Sequence, residues 1–239
     1  MKKMKYFAKT LFITCILFSG LFSVSAQTVT QIRKAEGFTS INVRSGIDLY
    51  LKQGSVEKVT IVANEDKIDE IKTVLKNGVL EIYIDRSSGS GFFNWNKQNA
   101  KAYVTVKDLK ELQGTGGSDI FTESKLDLIK LSLKVAGGSD AKLDLDADEL
   151  SCEATGGSDV TLTGSAAVFK AHSTGGSDLK AKDFKSNFCQ VTSTGGSDAY
   201  VYASKEISIS ATGGSDVYYW GGARVVSSKS SGGSDIHRK

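Results

Sequence analysis

The chain has 239 residues, 40% of them hydrophobic, with 30 basic and 27 acidic side chains and no proline. Four of the basic residues, Lys2, Lys3, Lys5 and Lys9, crowd the N-terminus, so the rest is nearly neutral and lacks the basic surface that nucleic-acid binding requires. Two histidines and three cysteines, all far apart, give no zinc-ligand spacing.

Residues 1–26 carry the pattern of a secretory signal peptide. The lysines precede an apolar run from Leu11 to Val24, and Val-Ser-Ala ends at Ala26 with small residues at the −3 and −1 positions, which predicts a cut before Gln27. The run is too short for a transmembrane helix, so the mature chain is expected to carry none. The destination is the periplasm, the outer-membrane surface or the medium. Residues 27–239, with 26 basic against 27 acidic side chains, are expected to form one continuous domain.

Residues 27–110 read as an irregular N-terminal cap made of early coils. Ile41–Arg44, Ile47–Leu51, Val59–Val62 and Tyr103–Val106 alternate as strands do. Asn77-Gly78 between Ile71–Lys76 and Val79–Ile84 is a hairpin signal, and Asn64–Glu70 suits one helical turn. The stretch 86–99 breaks the alternation with Ser and Gly, then presents Phe92, Phe93 and Trp95. Those aromatics either bind a partner or plug the end of the core.

From residue 111 onward the tetrapeptide Gly-Gly-Ser-Asp occurs seven times. Its Asp falls at Asp119, Asp140, Asp159, Asp178, Asp198, Asp216 and Asp235, at intervals of 18 to 21 residues. A motif returning at such an interval marks a solenoid. Counted from each Asp, alternate positions before it are apolar or small, as in Leu112, Leu133, Cys152, Ala171, Val191 and Ile209. The pattern resumes after the Asp with Ile120, Ala141, Val160, Leu179, Ala199 and Val217. Each coil therefore has two strands with one buried face, a polar turn such as Asp146–Glu149, and the Gly-Gly-Ser-Asp corner. The fold class is all-β, a right-handed parallel β-helix of about seven regular coils over residues 111–239. Cys152 and Cys189 sit in different columns two coils apart, roughly 9.6 Å along the axis. That is too far for a disulfide, so two free buried thiols are expected.

The stretch Phe38–Leu51, then Val59–Asn64 and Asn77–Ile82, resembles the head GIN domain of putative auto-transporter adhesins. Gly46-Ile47-Asp48 falls where that family has Gly-Ile-Asn, and the repeated Gly-Gly-Ser-Asp is similar to the family as well. The resemblance spans nearly the whole mature chain. It implies an exported bacterial β-helix at the cell envelope with a binding role, and it supplies no catalytic residues.

Two features are candidates for function. Positions two and four past the Asp point outward, and in the last two coils they are Tyr200, Tyr202, Tyr218 and Trp220. These four, with Phe92, Phe93 and Trp95, are the candidate ligand-binding residues, for a glycan or a protein partner. The Asp column is the other feature. Carboxylates stacked roughly 4.8 Å apart repel by about 1 kcal/mol per neighbour at bulk dielectric. Either hydrogen bonds from Ser hydroxyls and backbone N–H groups offset this, or a row of cations does, Ca²⁺ first. A polysaccharide-active enzyme ranks third. Its acids would have to leave the column pattern, and there is no Gly-x-Ser-x-Gly elbow. The expected function is thus a non-catalytic, exported binding or adhesion module that needs no cofactor, with a calcium-binding structural β-helix as the alternative.

Overall fold

Period-two alternation becomes a ladder of parallel strands. The computed structural model describes residues 27–85 and 100–239. The signal peptide expected over 1–26, and Phe92, Phe93 and Trp95, lie outside the described residues. The repeat region holds β8 (Glu111–Thr115), β9 (Ile120–Thr122), β10 (Leu126–Ala136), β11 (Ala141–Thr155), β12 (Val160–Thr174) and β13 (Leu179–Thr194). It continues with β14 (Ala199–Gly213), β15 (Val217–Trp220), β16 (Arg224–Gly232) and β17 (Ile236–Arg238). Successive coils pair in parallel, with Leu133 opposite Cys152, Cys152 opposite Ala171, and Ala171 opposite Val191. The chain is a parallel β-solenoid, as its repeat requires.

The inward columns are the core. Leu112, Leu133, Cys152, Ala171, Val191 and Ile209 are all buried, as are Ile120, Ala141, Val160, Leu179, Ala199 and Val217. Fully burying one such aliphatic side chain contributes about 1.5–3 kcal/mol. Phe169 meets Phe184 edge-on, with ring centroids 5.2 Å apart. Cys152 and Cys189 are free and buried, and burial pushes both thiols up to about 12. They are packing groups, not nucleophiles.

Two expectations need correction. The polar turn between strands is not a loop. Asp146 pairs with Ser165 and Ala147 with Ala166, so the backbone ladder runs through the bend and β11 is one strand of 15 residues. Ladder hydrogen bonds need no particular side chain, which hides this from a reading based on polarity. The seventh coil departs from its column at one position. By spacing, Val226, Ser228 and Ser230 belong to the inward columns, yet all three are exposed. A bulge between Ile207 and Ser208 displaces Val226 and sets Val225 opposite Ile207, whereas Ser228 and Ser230 stay opposite Ile209 and Ala211 and are exposed because β16 pairs with β14 alone among the described strands.

The N-terminal section stacks on the other end. Its strands are β1 (Thr28–Arg33), β2 (Ser40–Arg44), β3 (Asp48–Gln53), β4 (Lys58–Asn64), β5 (Ile71–Lys76), β6 (Val79–Ile84) and β7 (Lys101–Val106), with a short 3-10 turn at Ile68–Glu70. β2 and β3 lie parallel to β8 and β9 and form a coil of their own. β6 and β7 add a further layer on β2 and β3. The Asn77-Gly78 hairpin is present, and β4 runs antiparallel to both β1 and β7. Antiparallel strands replace the open parallel edge at this end, which discourages stacking of a second molecule.

β2 and β3 meet at a corner that the sequence disguises. Ser45 and Gly46 take φ of 73° and 77°, just as Gly116 and Gly117 take 65° and 76° one coil on. The N–H of Ile47 donates to Ser118 Oγ at 3.0 Å, as the N–H of Ser118 does to Ser139 Oγ. Gly46-Ile47-Asp48 is therefore the Gly-Ser-Asp corner in altered form.

Candidate functional site

Two antiparallel chains of hydrogen bonds link the Gly-Gly-Ser-Asp corners from coil to coil, the serine chain unbroken and the aspartate chain in two runs, Asp119 to Asp178 and Asp198 to Asp235. In one, the N–H of each serine donates to the serine hydroxyl of the next coil, running from Ser118 through Ser139, Ser158, Ser177 and Ser197 to Ser215. These serines are buried. In the other, an aspartate Oδ1 accepts the N–H of the aspartate one coil later. Asp119, Asp140 and Asp159 receive Asp140, Asp159 and Asp178 in this way, and Asp198 and Asp216 receive Asp216 and Asp235. Donor distances are 3.0–3.3 Å. Near the middle, Lys180 Nζ bridges Asp159 at 2.8 Å and Asp178 at 3.3 Å. These contacts offset the repulsion within the column.

A cation row has correspondingly little left to do. Asp216, Asp235 and His237 bring one ligand atom each within 4.8 Å of one another. However, both Asp216 oxygens already accept, from Asp235 N–H and from Tyr218 O–H, and calcium prefers oxygen to imidazole. Chelation with EDTA is therefore expected to leave the melting temperature unchanged. A fall of several degrees that calcium restores would show that the carboxylates hold an ion.

The four outward aromatics lie together on one sheet face. Tyr200 pairs with Tyr218 and Tyr202 with Trp220. The rings of Tyr200 and Tyr218 do not lie flat on the surface. Tyr200 and Tyr218 stack with centroids 4.9 Å apart and planes 5° off parallel, and His237 stacks on the far side of Tyr218 at 4.7 Å. The coil spacing of about 4.8 Å matches the offset-stacked distance of aromatic pairs, so ring covers ring. Lys185 Nζ sits 3.9 Å over Tyr202. Tyr200 and Tyr218 therefore turn ring edges and phenol oxygens to the solvent. Partial burial and the nearby Asp198 carboxylate raise the Tyr200 phenol above its ordinary value. Desolvation and Asp216 do the same for Tyr218. Both hydroxyls remain protonated donors around neutrality.

A second aromatic ladder escaped the sequence reading. Tyr103, Tyr50 and Phe121 stack in the N-terminal coils, with centroids 4.9 and 5.3 Å apart. Register places them in the same outward row as Tyr200 and Tyr218, with Lys142, Thr161 and Lys180 between the two groups. Spacing could have suggested Phe121, two past Asp119. Tyr50 and Tyr103 enter the row only through the corner at Ser45-Gly46.

The model of the putative auto-transporter adhesin, head GIN domain family matches residues 37–223. The chain belongs to this family. Three solved structures share the fold. A putative adhesin from Bacteroides fragilis NCTC 9343 superposes with a TM-score of 0.82 at 22% identity, covering 90% of this chain and 98% of its own. A putative adhesin from Parabacteroides merdae ATCC 43184 gives 0.72 at 18% identity, over 89% of this chain and 96% of its own. A putative lipid binding protein from Parabacteroides distasonis ATCC 8503 gives 0.68 at 19% identity, over 89% and 96%. None of the curated proteins matches the chain. Among the described residues, no helix is long and apolar enough to cross a membrane.

Proposed function

We propose that this head GIN domain protein is an exported, non-catalytic binding module of the cell surface. Its partner is a protein, met through the face that carries Tyr200, Tyr202, Tyr218 and Trp220. One observation carries the reading: four large aromatics are held on two adjacent coils of a sheet whose every neighbouring strand is paired. A contact row fixed in this way loses little conformational entropy on binding. Tyrosine and tryptophan are also enriched at protein interfaces. A sugar has no open ring on Tyr218 to stack on, because Tyr200 and His237 cover both faces. At Tyr218 a glycan would have to use the phenol hydroxyl and the Asp198 and Asp216 carboxylates. Export rests on the signal-peptide pattern of residues 1–26, and the family's adhesin description supports a surface location. A polysaccharide-active enzyme is disfavoured because the corner acids stay in column, engaged with the coil above or below.

The test uses purified 27–239 on arrays of extracellular-matrix proteins and of glycans. Wild type is expected to bind at least one protein. Trp220→Ala and Tyr218→Ala should weaken that binding about tenfold, the effect of losing roughly 1.4 kcal/mol of interface contact, with melting changed little. Equal binding by both variants would remove this face from consideration. Turnover of any polysaccharide would overturn the non-catalytic reading.

A further inference from the structure

A second face of the solenoid carries a furrow that runs along its axis. On the sheet that includes β2, β8, β10, β12 and β16, two outward rows lie two residues apart on each strand, about 6.8 Å. One row runs from Ser40 through Ser132, Ser151 and Gln190 to Ser227. The other runs from Asn42 through Gln113, His172 and Thr192 to Lys229. Three hollows lie in line between these rows. The first, of about 270 Å³, is lined by Ser40, Asn42, Glu111, Gln113, Ser132 and Lys134. The second, of about 350 Å³, is lined by Ser151, Glu153, Lys170, His172, Gln190 and Thr192. The third, of about 380 Å³, lies between Gln190, Thr192, Ser208 and Lys229. They follow one another because the register of these rows is unbroken from β2 to β13.

The chemistry of the lining selects the occupant. Most positions bear a hydroxyl or an amide, which both donates and accepts hydrogen bonds. The charges that do occur are of both signs: Glu111, Lys134, Glu153, Lys170 and Lys229, with Lys134 paired to Glu153 at 3.6 Å and Lys170 to Glu149 at 2.8 Å. A polyanion or a polycation laid along the furrow would therefore meet charges of its own sign. Within the furrow the backbone groups are spent in the inter-coil ladder, so an extended peptide finds a strand edge only on the outer side of β16, beyond the last hollow. At the first hollow, Asn42 Oδ1 is buried without a hydrogen-bond partner. A turn of its amide toward the hollow would let an incoming hydroxyl supply the missing donor.

We propose that this furrow binds a linear, uncharged polysaccharide laid along the solenoid axis. Its hydroxyls exchange hydrogen bonds with one or two side chains per coil. The site is separate from the aromatic face and does not depend on a protein partner there.

The experiment measures binding of purified 27–239 to neutral linear oligosaccharides of increasing length (β-glucan, xylan and mannan series) by calorimetry. Polygalacturonate and dextran sulfate are the charged comparators. Affinity should rise with chain length and change little with salt. Gln190→Ala with Thr192→Ala, at the centre of the furrow, should weaken binding roughly tenfold or more, as expected for two lost hydrogen bonds, while the melting transition stays in place. Trp220→Ala should bind as wild type does. Three outcomes would each overturn the proposal: no neutral series binds; the furrow variant binds as well as wild type; or only charged polymers bind and salt abolishes it. Loss of sugar binding in Trp220→Ala alone would move the glycan site to the aromatic face. A protein partner lost in Trp220→Ala, with no sugar bound by any form, would retain the first site and eliminate this one.

Discussion

Gly164→Ala is expected to destabilise the solenoid by roughly 3–5 kcal/mol. Gly164 sits in the bend between the two strand types, opposite Leu145 on one side and Phe184 on the other. Its φ is 108°, a region that an L-residue rarely adopts. A Cβ there would fall 1.9 Å from the Leu145 carbonyl oxygen and 2.8 Å from its carbon. Both atoms belong to backbone already committed to the ladder, so neither can swing aside. Gly157 is the control. It too has positive φ, at 73°, but a Cβ would meet nothing within 4 Å. Gly157→Ala should therefore cost only the left-handed penalty of about 1–2 kcal/mol. Urea unfolding of the two variants separates the terms, and equal losses would show that the bend is plastic and the clash relieved by a shift of the coil.

The contrast shows why some of this fold is legible in sequence and some is not. Two consecutive residues at positive φ favour glycine, as at five of the seven regular corners, so these corners write themselves as a visible repeat, and alternation then fixes inside and outside. The corner at Ser45-Gly46 is the same object, but Ser45 tolerates φ of 73° and Ile47 needs only its N–H to join the serine chain. Ile47 is fully buried, so the core gains an isoleucine and the pattern loses its serine. Without that corner, Tyr50 and Tyr103 cannot be assigned to the outward row. The aromatic face shows a second limit. Alternation says that Tyr200 and Tyr218 point outward. It does not say that each ring would turn its flat side to the next coil, which follows from a coil spacing close to the stacking distance. The furrow is fainter still, because serine and threonine on an exposed strand look like ordinary solvated surface until register lines them up.

Removing one serine hydroxyl from the corner should matter more than removing one carboxylate charge. Ser197 is fully buried, and its Oγ accepts from Gly176 N–H and Ser177 N–H, both at 3.1 Å. Ser197→Ala leaves both donors without a partner where water does not reach Ser177. Each unsatisfied buried group costs about 1–3 kcal/mol, so a loss of roughly 2–4 kcal/mol is expected. Asp198 also accepts one N–H, from Asp216 at 3.1 Å, but it is partly exposed. Asp198→Asn keeps an acceptor oxygen at that position and removes one charge from the column, so its effect should stay within about 1 kcal/mol. Chemical denaturation of the pair decides which ladder fixes the spacing between coils. If Asp198→Asn proved as damaging as Ser197→Ala, the charge itself would be structural, and a cation shared between neighbouring carboxylates would return as the reason for the conserved geometry of the column within this chain. If the serine variant alone collapses, the carboxylates are left as the solvent-facing half of the corner, beside the phenols of Tyr200 and Tyr218, and available to a partner.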